Sequence, residues 1–132
     1  MSTEVSAPTS LNRLVGGVFG AVYLAVGLVG FAITNGVGFA DHHGKTLIFF
    51  ELNPLHNLVH IAVGLLLGLA ALRGLKESTT VNTLVGGVYL LVGIVGLVIS
   101  SSGLDILALN HPDNLLHLAS AGVLLATGLS RR

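Results

Sequence analysis

Apolar positions along the chain gather into four long stretches, approximately Leu14–Thr34, Pro54–Leu72, Leu84–Ser100 and Pro112–Leu129, separated by shorter polar segments. A helix rises 1.5 Å per residue, so roughly 20 such residues cross a hydrocarbon core of about 30 Å. The third and fourth stretches are slightly short of that. None shows the strict alternation of a barrel strand, and a closed membrane barrel takes at least about eight strands. Helices are the remaining way to satisfy the backbone in lipid, so each stretch predicts a transmembrane helix. The first follows Met1–Asn12, which is polar and carries no basic residue. That run outlasts the apolar region of a signal peptide, roughly 7–15 residues, so it is expected to be a retained anchor.

The pattern also repeats. Asn12-Arg-Leu-Val-Gly-Gly-Val18 returns as Asn82-Thr-Leu-Val-Gly-Gly-Val88, and Tyr23-Leu-Ala-Val-Gly-Leu-Val-Gly30 as Tyr89-Leu-Leu-Val-Gly-Ile-Val-Gly96. The first match has an offset of 70 (82 − 12) and the second of 66 (89 − 23). A helix three shorter than helix one by a single turn is therefore expected. Asn53-Pro-Leu-His-Asn-Leu-Val-His60 likewise matches Asn110-His-Pro-Asp-Asn-Leu-Leu-His117. The expected fold is all-α, an integral membrane four-helix bundle made of two parallel-repeat helical hairpins. It forms one domain over residues 1–132, with repeats at about 12–73 and 82–130. Such repeats are related by an axis along the membrane normal, so equivalent residues share a depth.

Composition agrees with lipid as the solvent. Apolar residues make up 52% of the 132 and charged residues 9%, with mean hydropathy +0.88, whereas soluble domains carry about 25% charged residues. The formal net charge is zero, which gives nucleic acid no basic face. There is no cysteine, which removes disulfides, thiolate metal sites and cysteine nucleophiles together. Arg13, Arg73, Lys76, Arg131 and Arg132 fall on one side of the spans and only Lys45 on the other. The bias puts both termini in the cytoplasm and the Asn35–Leu52 loop outside. Gly16, Gly20 and Gly27 in helix one, and Gly64 and Gly68 in helix two, give the small-residue spacing that lets membrane helices approach. With no tryptophan and two tyrosines, the chain lacks aromatic belts, a hint that other membrane proteins or further copies cover part of its perimeter.

Candidate chemistry lies in the histidines. His42, His43, His56, His60, His111 and His117 all fall on the expected outer side or in the outer ends of helices two and four. Asn53 suits an N-cap and Pro54 the first helical position. His56 and His60 then share one face, as do Asp113 and His117. Asn57 and Asn114 precede their histidines by three residues, near enough to orient an imidazole. Ionisable groups within a bilayer are costly and face the bundle interior. Tyr23 and Tyr89 place hydroxyls below the histidine layer, each expected to meet a backbone carbonyl.

The stretch Glu51-Leu-Asn-Pro-Leu-His-Asn-Leu-Val-His60, the Leu-Val-Gly-Gly openings and the four spans resemble a bacterial domain-of-unknown-function family of small four-span membrane proteins. The resemblance covers most of the chain and implies a bacterial plasma-membrane protein; it brings no activity or ligand.

Three readings of the histidines follow. His60 and His117, supported by Asn57 and Asn114, could bind a haem or pigment, with Gly64 and Ala121 leaving room for a flat macrocycle. His56, His60, Asp113 and His117 could form a cage for zinc or copper. Or these groups could simply hydrogen-bond one another and cap helix ends. His42 and His43 beside Asp41 read as a solvated loop pair. No nucleophile elbow, Walker loop or HExxH motif occurs, and Ser100-Ser-Ser102 has no evident base. Four short helices also leave little room for a gated transport path. The sequence therefore favours a non-catalytic accessory or structural subunit of a larger membrane assembly, with a His-ligated cofactor or metal protein as the alternative.

Overall fold

The computed structural model describes residues 10–100 and 102–132; the polar lead-in at residues 1–9 and the middle of the serine triplet lie outside that set. Helix α1 spans Leu11–Ile33, α2 Pro54–Arg73, α3 Leu75–Ile99 and α4 His111–Ser130. Strands β1 (Lys45–Leu47) and β2 (Phe50–Leu52) form a two-stranded antiparallel hairpin in the α1–α2 loop. Three helices, α1, α2 and α3, are long and apolar enough to cross a membrane. At 20 residues α4 matches α2 in length but is more polar. Its Asp113, Asn114, His117, Ser120 and Thr127 are all buried within the bundle.

Helices α1, α2 and α4 each begin where the sequence supplies a side-chain cap. The Ser10 hydroxyl accepts from the Arg13 amide, and the Asn53 side chain accepts from the His56 amide with Pro54 directly after it. Asn110 and Asp113 form a capping box at the start of α4. The α2–α3 connection differs from the expected polar linker. Gly74 alone separates the helices, at φ 152°, and α3 begins at Leu75 rather than near Leu84. The segment Lys76-Glu-Ser-Thr-Thr80 is too polar to count as a span, yet nothing in it breaks a helix. Buried Ser78 ties this first turn back to α2 by donating to the Ala70 carbonyl (3.1 Å). Helix α3, at 25 residues, is therefore longer than the 23 of α1, not one turn shorter.

Burial also fixes the repeat register. The buried residues of α1, Asn12, Gly16, Gly20, Tyr23, Gly27 and Gly30, map at an offset of 66 onto Ser78, Asn82, Gly86, Tyr89, Gly93 and Gly96, all buried in α3. Every buried residue of α2 maps at an offset of 57 onto a buried residue of α4. The Leu-Val-Gly-Gly match at offset 70 is one turn out of structural register. Asn82 stands level with Gly16, and its amide donates to the Asn12 carbonyl and side chain (3.0 and 2.9 Å).

Helix α1 packs chiefly on α2 and α3 on α4, so each repeat is an antiparallel hairpin. A Cβ on Gly20 would fall 2.7 Å from the Gly68 nitrogen, and one on Gly64 would fall 2.7 Å from the Gly20 carbonyl oxygen. Backbone meets backbone there, the close approach small residues permit. Between the hairpins Tyr23, Val63, Leu67, Val85, Tyr89, Ala121 and Leu124 form the apolar core. Long connections lie at one end of the bundle and Gly74 at the other. At the loop end the repeats grip one another reciprocally. Asn53 Nδ2 donates to the Ile106 carbonyl in the second repeat, and Asn110 Nδ2 to the Phe49 carbonyl in the first (2.8 and 2.9 Å).

Candidate functional site

Capping sets the histidines in place. Because Asn53 starts α2, His56 and His60 fall on the first two turns of one face, both 1% exposed. The equivalent face of α4 brings His117, 2% exposed, to the same depth. The His60 and His117 ring centroids lie 5.8 Å apart, so the pair converges across the pseudo-twofold as the repeat implies. His56 lies 4.3 Å from His60 and 5.6 Å from His117 by the same measure. One nitrogen from each of the three falls within 4.8 Å of the others.

Aromatic rings floor this cluster. Tyr23 lies 5.1 Å from the His60 ring and Tyr89 4.8 Å from that of His117, and the two tyrosines meet edge to face. The Tyr23 hydroxyl pairs with Ser120 Oγ at 2.6 Å, a side chain where a carbonyl was expected. Leu52 at the end of β2 and Ala108 and Leu109 in the α3–α4 loop are fully or almost fully buried. Neither ring nitrogen of His60 has a hydrogen-bond partner, and nor does His117 Nδ1, whereas the His56 imidazole meets the main chain at Glu51 and Leu107.

The other expected site residues do different work. Asp113 is not part of the three-nitrogen group; its Oδ2 accepts from the Asn110 and Glu51 amides (both 3.1 Å), closing the cap of α4 and holding β2 against it. Neither asparagine orients an imidazole. Asn57 Nδ2 donates to Thr34 Oγ1 (3.0 Å), and the Asn57 and Asn114 amides press on Gly30 of α1 and Gly96 of α3. Gly64 does not leave a slot for a macrocycle, because the backbone of α1 at Gly20 and Leu24 fills the space beside it. Ala121 is fully buried in the apolar core. His42, His43 and His111 stand apart in the loops and at the first residue of α4; His42 lies 3.9 Å from Asp41. Sequence reasoning gave Ser120 no role, although its offset-57 equivalent is the apolar Val63, and a polar residue at one copy of a buried position was the available signal.

Two repeated hairpins, with three helices long and apolar enough to cross a membrane and a buried histidine cluster near one end, define a small membrane-bundle protein. The family described as a domain of unknown function (DUF4383) matches residues 13–130, and the chain belongs to it. No curated protein and no solved structure matches the chain.

Proposed function

We propose that this chain is a small, non-catalytic membrane protein that holds a transition-metal ion between His56, His60 and His117, near the non-cytoplasmic face. The observation that carries this reading is His60. Both its ring nitrogens are buried without a hydrogen-bond partner, and the His56 and His117 rings each bring a nitrogen within 4.8 Å. A neutral imidazole offers one donor and one acceptor, and leaving a buried group of this kind unmet costs about 1–3 kcal/mol. A shared metal ion answers the acceptor nitrogen of all three rings. A haem or pigment fits less well, since α1 fills the space beside Gly64.

Membrane orientation enters the same reading. Two parallel hairpins cross four times, and the basic residues other than Lys45 gather at the Gly74 end and at the chain termini. That end then lies in the cytoplasm, with the histidines in the outer half of, by the family resemblance, a bacterial plasma membrane.

The test is metal content. Detergent-purified protein is expected to carry about one transition-metal ion per chain, in line with a single tri-imidazole site. His60→Ala and His117→Ala should each lose the ion while still inserting, because insertion depends on apolar spans. A wild type that takes up no zinc, copper, nickel or cobalt after reconstitution overturns the reading.

A second reading, an accessory subunit in a larger assembly or in a self-associated form, is favoured by the loops. Ile48 and Phe49 at the hairpin tip are 75% and 68% exposed, and Leu104 in the other long loop 74%. Apolar groups beyond the helix ends suit a contact with another membrane protein or a second copy. Replacing Ile48 and Phe49 by Ser should shrink the particle in mild detergent; an unchanged size counts against this reading.

A further inference from the structure

Ligand type alone does not choose the ion, since imidazole suits copper and zinc alike. Charge and coordination number do. Resting on the metal reading above, we infer that the His56–His60–His117 site is built for a monovalent, three-coordinate ion of the cuprous class, Cu(I), in preference to Zn(II).

The three ligands are neutral imidazoles, and the cluster is closed off from water. Every carboxylate at this end is engaged with main-chain amides: Asp41 Oδ1 accepts from His43 (3.3 Å), Glu51 Oε1 from Gly44 (2.8 Å), Asp105 Oδ1 from Leu109 (2.9 Å) and Asp113 Oδ2 from Asn110 and Glu51. An ion bound here brings its charge into a low-dielectric interior with little to offset it. The Born cost of that transfer grows with the square of the charge, so a divalent ion costs about four times as much as a monovalent one of similar size. Asp113, even fully ionised, would neutralise Cu(I) and leave Zn(II) with a net charge.

Geometry points the same way. Three nitrogens at mutual distances up to 4.8 Å place an ion at their centre about 2.8 Å from each. Contraction by about 0.7 Å per ring reaches an ordinary metal–nitrogen bond of roughly 2.1 Å. The result is a trigonal N3 site. A closed-shell cuprous ion accepts three ligands, whereas structural zinc almost always takes four. The tyrosine rings against His60 and His117, and the near-complete burial of all three histidines, leave water no place to serve as the fourth. For zinc, Asp113 Oδ1, buried and without a hydrogen-bond partner, would have to turn in and break up the α4 cap.

The experiment is an anaerobic competition on the full-length protein in detergent. Cu(I) is supplied as its bicinchoninate complex, and Zn(II) is then added in about a hundredfold excess, equivalent to about 2.7 kcal/mol of discrimination. Retained copper is expected, displaced by Ag(I) but not by zinc, with an X-ray absorption spectrum of three nitrogen neighbours. Asp113→Asn should keep Cu(I) affinity within about threefold, and circular dichroism checks that it folds. Displacement of copper by zinc, a fourth oxygen neighbour in the copper spectrum, or loss of copper in folded Asp113→Asn overturns the cuprous assignment while the metal site stands. Failure of Cu(I), Ag(I) and Zn(II) alike to bind removes the metal site itself.

Discussion

His56, His60 and His117 were legible before any coordinates because helix geometry turns a spacing of four into a shared face, and the repeat gave His117 its counterpart. Their immediate partners were not. Asp113 was expected among the ligands because it occupies the place of His56 in the second copy, yet a carboxylate three residues after an N-cap is also the closing half of a capping box, and that local bond prevails. Asn57 and Asn114 were expected to orient imidazoles; they face the glycines of the partner helix, a contact that depends on tertiary packing and not on spacing. Tyr23→Phe, which loses the bond to Ser120, should destabilise the bundle by about 0.6 kcal/mol in a detergent-denaturation assay and leave metal content unchanged. A drop in metal content would place the hydroxyl in the site. Gly30→Ala should do more harm, since the new methyl would meet Asn57 Cγ at 2.7 Å with that amide fixed to Thr34.

Among the elements, the starts of α2 and α4 could be read from Asn-Pro and Asn-His-Pro, because capping is local chemistry. The start of α3 could not. Hydropathy finds spans, and the first turns of α3 lie beyond the apolar run while remaining helical. The turn that makes this possible is a single glycine at φ 152°, ψ −172°, a region other residues scarcely visit. Gly74→Ala should therefore cost about 1–3 kcal/mol, measured by reversible unfolding in mixed detergent. A variant of unchanged stability would mean that the helix ends relax easily around that position.

For the whole molecule, the number of helices, their pairing and the two-hairpin symmetry follow from the repeat, whereas the two offsets of the first helices, 70 and 66, do not make α3 shorter than α1. The Leu-Val-Gly-Gly match is the more conspicuous string, but the faces that pack obey the offset set by Tyr23 and Tyr89. The lengths of the loops record the remaining difference. The hairpins are offset by 66 in their first helices and 57 in their second, so the first loop is longer by nine residues (66 − 57), the room taken by the β-hairpin. The chain lacks cysteine, so topology is testable by labelling a single His43→Cys variant. Modification by an impermeant reagent from outside intact cells is expected, and modification only after the cytoplasm is opened would reverse the orientation.

The reciprocal grip of Asn53 on Ile106 and Asn110 on Phe49 has a consequence in time. A ribosome delivers the first hairpin complete before the second exists. At that moment α2 has emerged with His56 and His60, but its cap lacks the Ile106 carbonyl and its site lacks His117. Both arrive only after α3 has been made. The α3–α4 loop and the start of α4 thus lock the first hairpin, and α4 brings the third histidine, so a nascent chain that stops short of them carries only two of the three. If the three histidines hold an ion as proposed, its loading waits until α4 has been made.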